Sequence, residues 1–455
     1  MVEKHSVPGG NLTGWDREGY HIDNCIHWLT GTNPVMDGYA MWKELGALGN
    51  VGIYRADALY SYEKGGQRVS LLRDLEKLRE ELLALSPEDR RETEALIRAV
   101  GAMKAVNGVS GVDNSRRSTA AERARALPAL LKYLPMTCGD LAKRFKSPVI
   151  RGFFESLLTE SFGAIGILSV LATFCADDGD LPVGASLAMA RRMAARFTGL
   201  GGKLRCGTGV RKINISGGRA ESAVLDDGRI LRADSFILAA DPASAFGGLL
   251  DPGLMPKALS RRYENRKLRR FSSCHCAFAC ELSSLPFKGN LILELSEELK
   301  AELGARNLIL REYSHEKGFA PSGKSVLQTM FFCSEGASRS IIALSEKPGE
   351  YEAFKLGIAR KTEDFICRRF PELSGKLRLL DVWTPATYKR YTGAEMGSYM
   401  SFAFSSGIVP TFLSGRVRGV KNLFLATQWQ QAPGGLPIAA KAGRAAAEAA
   451  ARIKA

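Results

Sequence analysis

Hydrophobic and polar positions recur with two different periods along this chain, and the change from one to the other divides it into segments. Residues 8–62 are rich in glycine and aromatic side chains, with turns but few long periodic runs. From residue 69 the spacing turns helical. Leu71, Leu72, Leu75, Leu78, Leu82 and Leu83 fall on one repeating face, which predicts a helix over 69–85. Ser86-Pro87-Glu88-Asp89 reads as an N-cap with proline at the first helical position, opening a second helix through Leu96 to Met103. Residues 108–117 read as a loop, and further helices are predicted over 120–133, 138–145, 149–161 and 162–176. The last is the longest apolar run and falls short of the ~20 residues that span a bilayer. A buried helix is the expectation there, with a membrane-dipping helix as the alternative.

Beyond Pro182 the character changes. Residues 184–197 suit an amphipathic helix stopped by Gly201-Gly202. Short strands are predicted over 203–206, 210–215, 219–225 and 230–233, with Asp226-Asp227-Gly228 as a hairpin turn. The unbroken apolar run 236–240 suits a buried parallel strand. Strands over 271–282, 290–293, 307–310 and 326–333, a charged helix over 350–370, a strand over 423–426 and an alanine-rich C-terminal helix complete the pattern. Within 271–282, Cys274, Cys276, Phe278, Cys280 and Leu282 share one face at period two, so the Cys-His-Cys cluster reads as small buried hydrophobes and not as a metal site.

Composition narrows the class. The chain has 455 residues and a net charge of +15, with a pI near 9.4. Its basic pairs, Arg90-Arg91, Arg116-Arg117, Arg191-Arg192, Arg261-Arg262 and Arg269-Arg270, are isolated, without the aromatic-interleaved stripe of a nucleic-acid site. A solvated basic surface, or weak adhesion to acidic lipid headgroups, explains them. Nine cysteines, an odd number, suit reduced thiols in the cytoplasm. Glu3 and Pro8-Gly9-Gly10 would interrupt the apolar core of a signal peptide. A cytoplasmic protein is expected, with peripheral contact at the inner face of the membrane as a further expectation.

The chemistry is concentrated at the two ends. Glu3 at a strand end can accept hydrogens from both ribose hydroxyls of an adenosine. Gly9 and Gly10 lack Cβ, so the backbone can approach a bulky cofactor closely; a plain Pro-Gly-Gly turn is the alternative. Near the C-terminus a buried strand leads through Pro433-Gly434-Gly435 into a helix starting at about Leu436. A helix N-terminus offers unpaired N–H groups and partial positive charge to a pyrophosphate or a flavin pyrimidine edge. In a dinucleotide-binding unit the ribose acid lies ~20 residues after a G-x-G-x-x-G turn. No such turn occurs in this chain, so roughly 30 residues of strand, turn and helix are expected upstream of Glu3 in a longer form, the present start being an incomplete start site or a truncation. Loss of that strand is expected to leave the Glu3 strand and the 423–426 strand without their shared neighbour.

Glu3-Lys4, Pro8-Gly9-Gly10-Asn11, Gly19-Tyr20-His21-Ile22-Asp23, His27-Trp28-Leu29, Gly202-Lys203-Leu204, Val210-Arg211-Lys212-Ile213, Gln428-Trp429 and Gly434-Gly435-Leu436-Pro437 together resemble the phytoene desaturase, carotenoid isomerase and retinol saturase group of FAD-dependent oxidoreductases. The resemblance runs in order over essentially the whole chain, the middle units matching in character only. It implies FAD on an amine-oxidase-type α/β fold with α+β insertions: a Rossmann-type domain lacking its first βα unit, and a substrate domain of helices and antiparallel sheet. The FAD-binding parts would be 1–65, 181–250 and 411–455, interrupted by a helical insertion at 66–180 and a substrate unit at 251–410. By the same resemblance Glu3 holds the adenosine ribose, Gly9 and Gly10 the phosphate and ribityl region, Val210 the adenine through its backbone, and Gln428 with Gly434, Gly435, Leu436, Pro437 and Ile438 the flavin, with Lys4 and Asn11 also counted among the cofactor-binding residues. The implied chemistry is desaturation, saturation or isomerisation of a long apolar polyene or lipid. An amine-oxidase-like or porphyrinogen-oxidase-like flavoenzyme, or a flavin-free remnant that binds lipid or a partner, are the alternatives. Asn11 and Thr427-Gln428 depart from the group, which often has Arg and Gly-Asp there. His27 and Trp28 face the flavin or line a tunnel on this view, or form a structural aromatic turn. No acid–base pair is assignable, since the flavin carries the redox chemistry in this group.

Overall fold

The computed structural model describes residues 1–106, 119–403, 406–407 and 411–454; the expected loop at 108–117 and the pair Arg116-Arg117 lie outside them. Two ten-residue strands, Ser272–Glu281 and Lys324–Cys333, pair antiparallel along their full length as the second and third strands of a seven-stranded sheet. Its order is Arg378–Trp383, Ser272–Glu281, Lys324–Cys333, Asn307–Glu312, Asn290–Glu294, Ala58–Lys64, Gln67–Leu72. Only Asn290–Glu294 with Ala58–Lys64 runs parallel.

Both faces of Ser272–Glu281 are buried. Cys274, Cys276, Phe278 and Cys280 pack into a core with Ile358 and Ile366 of helix Pro348–Arg369, while Ala277 and Ala279 join Tyr20, Ile22, Trp383 and Tyr388. The shared face stops at Cys280. Leu282 opens a 3-10 turn and is exposed, because the strand has already ended at Glu281.

The helix predicted over 69–85 is in fact a strand followed by a helix. Gln67–Leu72 pairs with Ala58–Lys64, and Val69 and Leu71 alternate into the core at 0% exposure. Helix Leu75–Leu85 begins only where the Asp74 side chain accepts the Glu76 and Lys77 amides. With Arg90–Val106, Ala120–Tyr133, Cys138–Ala142, Pro148–Ser156 and Ala164–Phe174 it forms a helical layer packed on Tyr62, Val69 and Leu71. The long apolar run is the last of these helices. It buries Ile165, Ile167, Leu168, Leu171 and Phe174, and among the described residues no helix is long and apolar enough to cross a membrane.

On the other side of the molecule, Phe236–Leu238 and Leu423–Leu425 form a two-stranded parallel sheet. Leu423–Leu425 thus has one strand neighbour, and among the described residues no strand joins it to the Glu3 segment; the side of Phe236–Leu238 away from it carries no strand either, and Ile237 is 46% exposed. Asn422 locks the region. Its amide accepts from the Ala220 N–H and donates to the Ala220 and Asp234 carbonyls, all at 2.8 Å. The expected strand at 203–206 is reduced to one parallel bridge, Val2 with Arg205. An antiparallel meander, Val210–Ser216, Arg219–Leu225 and Ile230–Arg232, and the helices Ala185–Gly199 and Leu436–Lys454 complete this half.

Candidate functional site

The two chain ends meet at one backbone carbonyl. Strand Leu423–Leu425 runs into the 3-10 turn Gln428–Gln430, capped by the Thr427 hydroxyl and anchored by buried Trp429, which stacks on Tyr263. From that turn Gln428 donates its amide N–H to the Tyr399 carbonyl at 3.1 Å and accepts the Gly435 N–H at 2.9 Å. Asn11, from the other end of the chain, donates to the same Tyr399 carbonyl at 3.3 Å. Leu12 shares a hydrophobic cluster with Leu436 and Ala440 of the C-terminal helix.

Backbone shape at this junction demands glycine. Gly434 has φ +85°, and a Cβ there would stand 2.9 Å from both Gln428 Oε1 and the Ser401 nitrogen. Gly9, at φ +125°, would put a Cβ 2.6 Å from the Leu12 carbonyl oxygen. Gly10, at φ +58°, faces open space. Asn11 Oδ1 is buried with no hydrogen-bond partner. A buried acceptor left unpaired is costly, so this atom suits a donor carried by a bound group. Pro437 and Ile438 continue the first turn of helix Leu436–Lys454, with Ile438 buried.

A second group forms farther along the N-terminal strand. Glu3 donates its N–H to the Arg205 carbonyl at 2.8 Å and accepts the Thr208 N–H at 3.1 Å, which sets Glu3 and Lys4 beside the chain entering Val210. The Glu3 carboxylate accepts the His5 N–H at 2.9 Å. Lys4 reaches the Arg390 carbonyl, and the His5 ring stacks 3.6 Å from that of Tyr391. Glu3, Lys4 and Val210 thus gather at one place, and Asn11, Gln428 and 434–438 at another, with the 5–10 segment running between.

His27 and Trp28 lie apart from both groups, against the helical layer. His27 Nδ1 is 3.1 Å from the Tyr60 hydroxyl, and Trp28 stands edge-on to the Tyr60 ring. Asp23 and His27 do not pair, since Asp23 ends the strand Tyr20–Asp23 and its carboxylate accepts from the Ser186 N–H and hydroxyl.

Between these positions runs a band of buried polar side chains that no local sequence pattern marks. Asn24 donates to the Asn11 carbonyl and accepts from the Tyr388 hydroxyl at 3.0 Å. Tyr388 in turn lies 3.1 Å from His275 Nε2, and the His275 ring stacks on Trp383. Burial, reinforced by Arg311, pushes His275 down to about 3 and His27 well below the ordinary histidine value, so both imidazoles are neutral. Burial also raises Asp23 above the usual carboxylate range. Tyr399, Asn24, Tyr388, His275 and Arg311 escape sequence reasoning because each becomes informative only through partners distant in the chain.

A family model described as flavin containing amine oxidoreductase matches residues 1–348. The chain is 22% identical over 425 residues to the chloroplastic prolycopene isomerase of Arabidopsis thaliana, covering 88% of this chain and 69% of that protein. It is equally identical, over 422 residues, to the corresponding protein of Daucus carota, covering 88% and 67%. Among solved structures it is similar to an oxidoreductase from Methanosarcina mazei, with a TM-score of 0.59 at 17% identity over 97% of this chain and 91% of the other. It is also similar to putrescine oxidase bound to putrescine, with a TM-score of 0.57 at 14% identity over 100% and 92%.

Proposed function

We propose, from the premise that this chain belongs to the flavin-containing amine oxidoreductase family and is an oxidoreductase, that its cofactor is FAD and its substrate a long apolar polyene or related lipid. The observation that carries the cofactor reading is the junction at Tyr399. The N-terminal glycine turn and the start of the C-terminal helix are tied to one carbonyl, and the free acceptor Asn11 Oδ1 lies where they meet. These residues fit a flavin dinucleotide. Glu3, with Lys4 and Val210 beside it, would hold the adenosine end, Gly9, Gly10 and Asn11 the middle, and Gln428 with Gly434 to Ile438 the flavin ring. FAD supplies hydride chemistry when bound.

This chain's own residues do the holding. Gln428 fixes the Gly434-Gly435 turn that leads into helix Leu436–Lys454, whose N-terminus would offer its partial positive charge to an acceptor. Neutral His275 and Tyr388 keep the buried side of the junction uncharged, as an apolar substrate requires. The choice of a polyene rests on the similarity to the two prolycopene isomerases, which spans most of the chain. The excess of Lys and Arg, 63 against 48 acids, favours contact with acidic headgroups at the cytoplasmic face of a membrane, where such a substrate would be found.

Prolycopene supplied in liposomes to the FAD-loaded protein tests the reading, with products separated by chromatography. A change in its isomer composition or saturation that requires both FAD and the protein is expected. An unchanged polyene beside turnover of an amine would replace the substrate assignment.

A further inference from the structure

Helix Ala120–Tyr133 has two apolar faces, and the core uses one of them. Ala126, Ala129 and Tyr133 are buried where the helix packs on Arg90–Val106 and Ala164–Phe174. On the opposite side Ala120, Ala124, Leu127, Pro128 and Leu131 are all exposed, Leu127 at 52% and Leu131 at 70%. At helical spacing these side chains form one continuous stripe about 100° wide. A surface helix ordinarily turns such a stripe toward a core and keeps its polar residues outside. Here the stripe faces out.

Positive charge borders it on both flanks. Arg123 lies along one edge and Arg125 along the other, both exposed, with Lys132 beside Arg125. The acids of this region are committed elsewhere. Glu122, the one acid of the helix, closes a capping box with Thr119. Glu92, on the neighbouring helix, is bound by Lys132 and by Arg144. The outer face is therefore apolar along its middle and basic along its edges.

That arrangement matches a flat anionic surface. Leucines on the midline can enter the acyl boundary while long cationic side chains on both flanks reach the headgroups. Contact of this kind runs along the bilayer, since among the described residues no helix is long and apolar enough to cross one. A second copy of the chain docked on the same face would set like charges together at the edges, which favours lipid over self-association.

We propose that helix Ala120–Tyr133 lies along an acidic bilayer surface, with Leu127 and Leu131 inserted among the acyl chains and Arg123 and Arg125 at the headgroup phosphates. Docking of this kind presents the helical layer to the lipid and leaves the two chain-end glycine turns in the half away from it. The inference names the surface for the membrane contact of the proposed function and rests on that reading for its purpose, delivery of an apolar substrate. The contact itself needs neither FAD nor polyene.

The purified full chain is floated with vesicles of phosphatidylcholine alone or with about 30% phosphatidylglycerol, at ~0.1 M salt. Partition onto the acidic vesicles is expected to exceed that onto the neutral ones by about tenfold or more. Leu127→Ser with Leu131→Ser should lower it about tenfold at unchanged circular dichroism, because neither side chain supports the core. Arg125→Glu should weaken binding to acidic vesicles severalfold and leave neutral ones unaffected. Leu200→Ser with Leu356→Ser, which removes exposed leucines elsewhere, should change nothing. A single Leu131→Trp variant gives a direct reading of depth: its emission is expected to be quenched by lipids brominated on the acyl chain. Equal partition onto both vesicle types overturns the proposal, as does a loss as large from the Leu200 and Leu356 pair as from Leu127 and Leu131. Self-association that the Leu127 and Leu131 pair abolishes, without vesicle binding, would replace the bilayer with a second copy. Flavin content and polyene conversion, measured on the same preparation, report separately on the proposed function.

Discussion

Removing the side chain that joins the two ends of the site is the sharpest perturbation the structure suggests. Gln428→Ala deletes two hydrogen bonds, to the Tyr399 carbonyl and from the Gly435 N–H. The Tyr399 carbonyl keeps Asn11 as a donor, but the half-buried Gly435 N–H loses its acceptor. The net worth of the Tyr399 bond is about 1 kcal/mol, and leaving the Gly435 donor unpaired costs ~1–3 kcal/mol, giving a total of about 2–4 kcal/mol. If Gln428 holds the Gly434-Gly435 turn in the shape that receives FAD, this energy is withdrawn from binding. The FAD dissociation constant should then rise between about 30-fold and several hundredfold. Quenching of flavin fluorescence on titration into apoprotein gives the constant, and circular dichroism confirms the fold. A Gln428→Ala protein that remains folded and binds FAD within about threefold of the unaltered chain would refute the reasoning.

Other outcomes follow from the packing. Gly152→Ala places a methyl group onto the Tyr62 hydroxyl, so urea unfolding should show a loss of ~1–3 kcal/mol, partly restored by adding Tyr62→Phe. Asn422→Ala strands the Ala220 N–H and two backbone carbonyls in the interior; a loss of about 3 kcal/mol or more is expected, and a change under 1 kcal/mol would show that water replaces the amide. The buried neutral His275 has a folded value of about 3, below its ordinary 6.5, so between those limits the unfolded chain binds the proton that the folded chain refuses. Its contribution is therefore complete above about pH 6.5 and is lost as pH falls toward 3, at a slope approaching ~1.4 kcal/mol per pH unit. His275→Gln should flatten the urea stability profile across that window by one such contribution; an unchanged profile would contradict a neutral His275.

Local pattern carried far in this chain where an element answers to its own residues. Strand Arg219–Leu225 and helix Ala120–Tyr133 lie where alternation and helical spacing put them, each bounded by its own turn or cap. Residues 69–72 went the other way. Val69, Leu71, Leu72 and Leu75 satisfy both periods over so short a run, and the spacing alone does not choose. Lys64-Gly65-Gly66-Gln67 holds the missing signal: a Gly-Gly pair at φ +58° and +77° closes a two-residue hairpin that commits 67–72 to pair with 58–64. The parallel pairing of Asn290–Glu294 with Ala58–Lys64 joins segments more than 200 residues apart and leaves no local trace. The site divides in the same way. The glycines and Gln428 are legible as chemistry, while the Tyr399 carbonyl on which both ends meet is a backbone atom in an irregular segment, and Arg311 reads as the polar end of an ordinary strand.

The central claim is that the two ends of the chain build one FAD site. The measurement that tests it most directly is equilibrium binding of FAD to the purified 455-residue protein, with the bound flavin released by denaturation and identified. The account predicts saturable, non-covalent binding of one FAD per chain, accompanied by the visible flavin absorption and weakened by Gln428→Ala. A folded protein that stays colourless and takes up no FAD at saturating concentration would contradict it.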